Sequence, residues 1–170
     1  MSLRGSGRGM SWFASYNKTA YNEQSYDGGT LFVRWSTPQM FMSFQVQDSE
    51  LAGTESYGGG FQYDFGHNGL LPGFVMRWRY GVYDMPDDLS LTDARQDRAE
   101  ATFDLRYSFT KDSGFGIFTE MKGLSIQFRL AYNNYNTDYD FEAYREIHGY
   151  EFSTVTKDFF DARLYIDYNF

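Results

Sequence analysis

The chain has 170 residues, a formal net charge of −8 and no cysteine. This length suits one domain, the lack of cysteine excludes disulfides and thiolate metal sites, and the acidic balance excludes nucleic acid, whose phosphates attract clustered Lys and Arg. Aromatic residues make up 21% of the chain. No apolar run approaches the roughly 18 residues of a membrane helix, so we expect strands rather than helices.

Residues 1–10 look like a linker or a vector-derived start, because they are rich in Gly, Ser and Arg and lack the apolar core of a secretory signal. We therefore expect one folded domain over residues 11–170. If the chain is exported, its natural precursor is expected to carry a signal that this stretch lacks.

From residue 11 onward, apolar side chains recur at every second position, which is the period of a strand with one apolar face. The pattern begins weakly at Trp12, Ala14 and Tyr16. It continues in segments at 31–36, 40–47, 61–65, 74–82, 103–109, 124–132 and 159–170. This gives about eight segments of roughly 8–12 residues, the length that a tilted membrane strand needs.

The connections between these segments alternate in length. Longer stretches rich in Asp, Glu, Tyr and Asn (17–28, 48–57, 84–97 and 134–158) take turns with shorter ones at 37–39 and 66–72 and a medium one at 110–122. Outer-membrane barrels have long external loops and short periplasmic turns. The sequence therefore predicts an all-β fold, an antiparallel transmembrane β-barrel of about eight strands.

A soluble barrel of the lipocalin type would show the same alternation with its apolar face turned inward. Bulky aromatic residues at the segment ends favour the membrane alternative, because they resemble the girdles at lipid interfaces. The opposite face carries Arg, Gln, Ser and Asp instead of the Lys and Glu usual on a soluble exterior. We therefore expect Trp78, Phe128 and Ile166 to face lipid, and Arg77 and Arg129 to face the interior.

The carboxy terminus carries an aromatic ending in phase with the last strand, formed by Leu164, Ile166, Tyr168 and Phe170. It resembles the signal that the barrel assembly machinery of the outer membrane recognises. Several sequence segments resemble the carboxy-terminal part of OprD-type substrate-specific porins: FQYDF at 61–65, LPGF at 71–74, RWRYG at 77–81, ATFDLRY at 101–107, MKGLSIQFRL at 121–130 and ARLYIDY at 162–168. The likeness runs from about residue 58 to the end.

That resemblance implies a porin, or part of one, in the cell outer membrane of a Gram-negative bacterium. Porins of this family are much longer chains whose lumen carries a ladder of arginines for carboxylate-bearing nutrients. The implied partners are outer-membrane lipid, lipopolysaccharide, the barrel assembly machinery and small anionic solutes. Transport would be passive, without a cofactor, a metal or enzyme activity. His67 and His148 are isolated in the sequence, so no catalytic or metal site is expected from them.

The predicted lumen residues are arginines opposite the apolar face: Arg34, Arg77, Arg79, Arg106, Arg129 and Arg163. Such a column would attract carboxylates. In an alternative interpretation, the arginines form ion pairs with Asp64, Asp104, Asp161 and Asp167 inside a packed interior, because buried charges need partners. The chain would then be a small closed barrel, truncated or engineered, with a structural role in membrane insertion and no open channel.

Overall fold

The structure is a computed structural model that describes residues 1–20, 53–85, 97–109, 121–136, 142–143, 146 and 157–168. Seven strands in this part of the chain form one antiparallel sheet in chain order. They are β1 (Ser2–Gly7), β2 (Met10–Lys18), β3 (Glu55–Asp64), β4 (Phe74–Asp84), β5 (Arg98–Ser108), β6 (Leu124–Tyr135) and β7 (Phe159–Tyr168). Within the described ranges, no helix is long and apolar enough to span a membrane. The predicted all-β antiparallel class is confirmed.

The amino-terminal stretch contains a strand that the sequence did not predict. β1 lies within residues 1–10 and pairs with β2, placing Leu3 opposite Ala14 and Gly5 opposite Trp12. Residues 2–7 show no apolar alternation, because most of them are Gly, Ser or Arg. Their pairing depends on backbone hydrogen bonds with an adjacent strand, which a search for periodicity does not detect.

The register of β2 also changes the predicted strand order. β2 pairs directly with β3, with Trp12 opposite Phe61, and the backbone N–H of Thr19 donates to the carbonyl of Thr54 at 2.9 Å. The predicted strands at 31–36 and 40–47 therefore do not lie between β2 and β3 in the sheet. Both segments fall outside the described residues.

Two strands begin earlier than predicted. β3 starts at Glu55 instead of residue 61, and β5 starts at Arg98 instead of residue 103. The added part of β3 contains Gly58, Gly59 and Gly60, which have no side chains to alternate. The added part of β5 alternates charged and polar residues with Ala, so its apolar face is too small to be recognised by hydrophobicity.

The connections divide the sheet into two ends of different character. At one end, here called the long-connection end, strands are joined by residues 19–54, 85–97 and 136–158. At the other, the short-connection end, the joining segments are residues 8–9, 65–73 and 109–123. The connections of the first end are longer overall, as expected of an outer-membrane barrel, although residues 109–123 form a longer connection than residues 85–97.

The turn between β3 and β4 ends on Gly73, which has a φ of +85°. A Cβ atom at this position would lie 2.1 Å from the carbonyl oxygen of Ser108. The backbone carbonyl of Gly73 also accepts from the N–H of Ser108 at 2.8 Å. Only glycine therefore fits where this turn contacts β5.

Replacing Gly73 with Ala is expected to lower the free energy of unfolding by about 2 kcal/mol or more. About 1–2 kcal/mol comes from the left-handed backbone, and the overlap with Ser108 adds to it. Urea unfolding in detergent micelles, followed by tryptophan fluorescence, measures the loss. Gly69→Ala is the matched control, because Gly69 has a φ of +69° but open space around its Cβ position. Equal losses in the two variants would show that the contact with Ser108 does not matter.

Asp158 holds the start of β7 against the end of β6. Its carboxylate accepts hydrogen bonds from the Tyr132 hydroxyl at 2.7 Å, the Asn134 side-chain amide at 2.8 Å and the Tyr135 backbone N–H at 2.9 Å. The bond from the Tyr135 N–H is the largest cause that lowers the pKa of Asp158 below its ordinary 3.8, followed by the Tyr132 hydroxyl. These bonds favour the ionised carboxylate, because it accepts all three of them.

A carboxyl with a lowered pKa in the folded state stabilises that state above its ordinary pKa and loses this effect as pH falls through the lowered value. We therefore expect the Tyr135 amide to lose hydrogen-exchange protection when the pH is lowered below about 3.8. Asp158→Asn should show weaker protection at neutral pH and no such acid transition. Hydrogen exchange by NMR in micelles measures both, and identical pH profiles would contradict the role of Asp158.

Candidate functional site

The register assigns the side chains of the sheet to two faces, because directly opposed residues in an antiparallel pair point to the same side. One central row contains apolar residues on almost every strand: Trp12, Phe61, Trp78, Phe103, Leu130 and Ala162. The adjacent row on the other side is polar and charged: Ser11, Gln62, Arg77, Asp104, Arg129 and Arg163. We call these sides the apolar face and the polar face.

The burial of the two faces is the reverse of that in a soluble protein. On the apolar face, Trp78 is 39% exposed, Phe128 is 43% exposed and Ile166 is 65% exposed. The fully buried large side chains all lie on the polar face or in line with it: Thr54, Ser56, Tyr83, Glu100, Thr102 and Asn133. The hydrophobic effect would not leave so many large apolar side chains exposed in water, so the apolar face needs an apolar surrounding.

Asp104 is the centre of the polar face. Its carboxylate accepts from Nε and Nη2 of Arg129 and, at 3.1 Å, from Nε2 of Gln127. Nη2 of Arg79 lies 3.8 Å from the second carboxylate oxygen. The Asp104 side chain is only 5% exposed, and two guanidinium groups surround it. One negative charge is thus placed between two positive charges in a shielded position.

Arg77 and Arg106 lie beside this cluster but have different partners. Nε and Nη2 of Arg77 donate to Oε1 of Gln62, at 3.1 and 2.7 Å. Arg106 forms no hydrogen bond or ion pair within the described part of the chain. Neither guanidinium is bonded to a carboxylate of the described residues, so both have N–H donors that no acid there occupies.

A cavity of about 350 Å³ opens between these side chains near the short-connection end. Its lining is polar except for one valine, and consists of Gln62, Val75, Arg77, Asp104, Arg106, Ser108 and Gln127. Donors therefore outnumber free acceptors, because the Asp104 carboxylate is occupied by Arg129 and Gln127. The cavity is suited to a small group that accepts hydrogen bonds and carries negative charge.

Four of the predicted arginines are brought together in this region: Arg77, Arg79, Arg106 and Arg129. Arg163 shares the polar face and lies opposite Arg129, but its guanidinium bonds to Asp161 two residues away on the same strand. Arg34 lies outside the described residues. The alternative pairing with aspartates occurs for Asp104 and Asp161, whereas Asp64 accepts from the backbone N–H of Gly66.

The sequence did not single out the two glutamines of the cavity. Gln62 and Gln127 alternate correctly with the apolar residues, but their contacts with Arg77 and Asp104 depend on cross-strand register. Among the proposed assembly-signal residues, Leu164, Ile166 and Tyr168 lie on the apolar face of β7, and Phe170 is outside the described residues. Their recognition by the assembly machinery stays a prediction, and so does a lumen role for the arginines. His148 also lies outside the described residues.

The fold and its reversed burial define the wall of a transmembrane β-barrel. A sheet with an exposed apolar face and a shielded polar face is the arrangement found in outer-membrane barrels, where the interior is polar. The aromatic rings of Tyr132 and Phe160 lie near the long-connection end of the sheet, with their centroids 4.8 Å apart. This position agrees with the aromatic girdles that such barrels carry at the membrane interfaces. Aromatic rings are enriched at such interfaces.

Comparison with solved structures shows which known barrels the fold resembles. The fold is similar to crystal structures of three Pseudomonas aeruginosa proteins of the OprD porin family. OccK9 (OpdG) gives a TM-score of 0.69 at 21% identity, OpdQ gives 0.65 at 19%, and OccK8 (OprE) gives 0.53 at 21%. The matches cover 98%, 98% and 79% of this chain, respectively. No family model and no curated protein matches the sequence.

The chain spans about a third of these porins, with 35%, 36% and 32% of their lengths covered. It therefore has the fold of one part of an OprD-type barrel wall, and the resemblance predicted from the sequence is confirmed at the level of fold. The neighbours are outer-membrane proteins, in agreement with the predicted location. That the matching part is the carboxy-terminal one stays a prediction.

Proposed function

We propose that this chain forms part of the wall of an outer-membrane porin, through which small carboxylate-bearing solutes diffuse passively along the polar face. The observation that carries the proposal is the cavity between Arg77 and Arg106, two guanidinium groups without a carboxylate partner among the described residues. The likeness to OprD-type porins supports a channel in general, and these side chains support its preference for anions.

The electrostatics favour transient binding over tight capture. Asp104 offsets part of the charge of Arg79 and Arg129, so the local field is positive but moderate. A carboxylate that enters the cavity exchanges water for donors of Arg106 and Arg77, while the shielded wall weakens the screening of these charges. Conduction needs a solute to be attracted and then released, which such a partly neutralised cluster permits.

Binding of a dicarboxylate to the folded chain tests the proposal without requiring a closed barrel, because all the cavity residues lie on one sheet. Succinate is titrated into the chain in zwitterionic micelles while the Nε–Hε NMR signals of Arg77 and Arg106 are followed. We expect saturable shifts of both signals, whereas the neutral analogue succinamide should cause none. Equal responses to succinate and succinamide, or no response to either, would reject the anion site.

Arg106→Gln is expected to weaken succinate binding roughly two- to fivefold, the change that about 0.4–1 kcal/mol of lost attraction produces. Arg8→Gln is the matched control, because Arg8 is exposed in the turn between β1 and β2. It should leave the affinity unchanged. Equal weakening by both substitutions would indicate a general effect of net charge, and would contradict a defined site at Arg106.

A further inference from the structure

Arg77 has two neighbours on the polar face that could accept its hydrogen bonds, and it bonds to only one of them. One row of directly opposed positions crosses β3, β4, β5 and β6, and consists of Gln62, Arg77, Asp104 and Arg129. Asp104 therefore lies directly opposite an arginine on each side. It accepts hydrogen bonds from Arg129, whereas Arg77 forms no hydrogen bond or ion pair with it.

Position in the row does not explain this difference between the two arginines. Both are direct cross-strand neighbours of Asp104, and such neighbours on one face of a sheet lie close enough to interact. Charge would favour a bond between Arg77 and Asp104, because a hydrogen bond between two ionised groups is stronger than one to a neutral amide. Another contact must therefore hold the Arg77 side chain toward β3.

Gln62 provides this contact. Its Oε1 accepts from both Nε and Nη2 of Arg77, at 3.1 and 2.7 Å, so the guanidinium group is fixed along one edge. Gln62 forms no other hydrogen bond within the described part of the chain. The glutamine amide is neutral, so it orients the guanidinium group without offsetting its charge. Arg129 and Arg163, by contrast, bond to carboxylates.

We infer that Gln62 is a positioning residue, which keeps Arg77 away from Asp104 and thereby leaves the positive charge of Arg77 available to the cavity. The use of that charge rests on the proposed function, but the positioning is a property of the chain without solute. Both Gln62 and Arg77 line the cavity. The Nη1 donors of Arg77 have no partner among the described residues, so an entering carboxylate meets a guanidinium group that is oriented but not neutralised.

Gln62→Leu in zwitterionic micelles tests the positioning before any solute is added. The Nε–H groups of Arg77 and Arg129 provide an internal comparison, because the first donates to an amide and the second to a carboxylate. We expect the Arg77 Nε–Hε NMR signal of the variant to move downfield toward that of Arg129, because Arg77 then bonds to Asp104. An Arg77 signal that stays in place or moves upfield would overturn the inference.

Gln127→Leu is the matched control, because Gln127 is the second glutamine of the cavity and bonds to Asp104 instead of Arg77. This substitution frees the acceptor site on Asp104 that Gln127 occupies. Arg77 should nevertheless stay bonded to Gln62, so its signal should remain where it is in the unsubstituted chain. Movement of the signal toward that of Arg129 would mean that access to Asp104, and not Gln62, determines the partner of Arg77. That result would also overturn the inference.

Succinate binding measures the consequence for the cavity. Gln62→Leu should weaken binding roughly two- to fivefold, because one arginine becomes paired with a carboxylate. In the Asp104→Asn background, which removes the competing carboxylate but keeps an acceptor for Arg129, most of this effect should disappear. An equal loss in both backgrounds would overturn the inference, because Gln62 would then act by direct contact with the solute. If the unsubstituted chain does not bind succinate, the proposed function fails, while the NMR comparison without solute still determines the partner of Arg77.

Discussion

Replacing Asp104 with Ala is expected to lower the free energy of unfolding by about 3–5 kcal/mol, the usual cost of removing one partner from a shielded ion pair. The loss is large because the Asp104 carboxylate accepts hydrogen bonds from Gln127 and Arg129 and forms an ion pair with Arg79. Without it, the guanidinium groups of Arg79 on β4 and Arg129 on β6 repel each other across β5. Urea unfolding in micelles, followed by tryptophan fluorescence, measures the change.

Asp161→Ala is the matched control for this substitution. Asp161 is also an aspartate on the polar face and also bonds to an arginine, but the Arg163 side chain of that pair is 44% exposed. Exposed ion pairs contribute little, so the expected loss is below about 1 kcal/mol. The removal of Asp104 should also tighten succinate binding severalfold, because the cluster loses its negative charge. Equal destabilisation by both substitutions would contradict the central position of Asp104.

Substitution of Phe128 by Arg is expected to destabilise the barrel wall by about 2–4 kcal/mol in a lipid bilayer, the cost of a charge on the lipid-facing side near mid-depth. The neighbouring substitution Gln127→Arg places the same side chain on the polar face beside the cavity. It should cost about 1–2 kcal/mol, because it removes the Gln127 hydrogen bond to Asp104 and adds a charge beside the arginines, but leaves no charge facing lipid. The two positions are adjacent in β6 and differ mainly in the side to which they point.

The comparison is made by refolding both variants into vesicles and measuring the denaturant midpoint. A soluble barrel with Phe128 in its core predicts the same order, but its midpoints would not depend on lipid. The comparison is therefore repeated without vesicles, where the membrane interpretation predicts no folded state and the soluble alternative predicts unchanged midpoints. Equal midpoints of the two variants would contradict the difference between the two faces.

The sequence predicted which side chains share a face, because that depends only on the local period of two. In β4 and β6, the phase from Phe74 to Val82 and from Leu124 to Tyr132 is the one found in the sheet. The residue types also predicted which face turns toward lipid. A strand with Trp, Tyr and Phe on one side and Arg and Gln on the other is unusual for a soluble protein, whose exterior is usually rich in Lys and Glu.

The remaining features depend on pairing between distant residues, which one sequence does not specify. β2 and β3 are adjacent although the segment 19–54 separates them in the sequence, and the predicted strands at 31–36 and 40–47 do not lie between them. β1 was missed because its bonds depend on β2. The role of Asp104 was equally hidden, because its contact with Arg129 requires the register between β5 and β6. Five of the predicted arginines lie on the polar face, but their partners could not be assigned from the sequence.

The most direct measurement of the central claim is a spin-label scan along β6 in lipid vesicles. The chain has no cysteine, so single cysteines from residue 125 to residue 132 can be labelled without background. Accessibility to oxygen, which concentrates in lipid, should be highest at positions 126, 128, 130 and 132. Accessibility to a water-soluble nickel chelate should be higher at 125, 127, 129 and 131. The opposite phase, with the aromatic and aliphatic positions protected from oxygen, would contradict the lipid-facing direction of the apolar side chains.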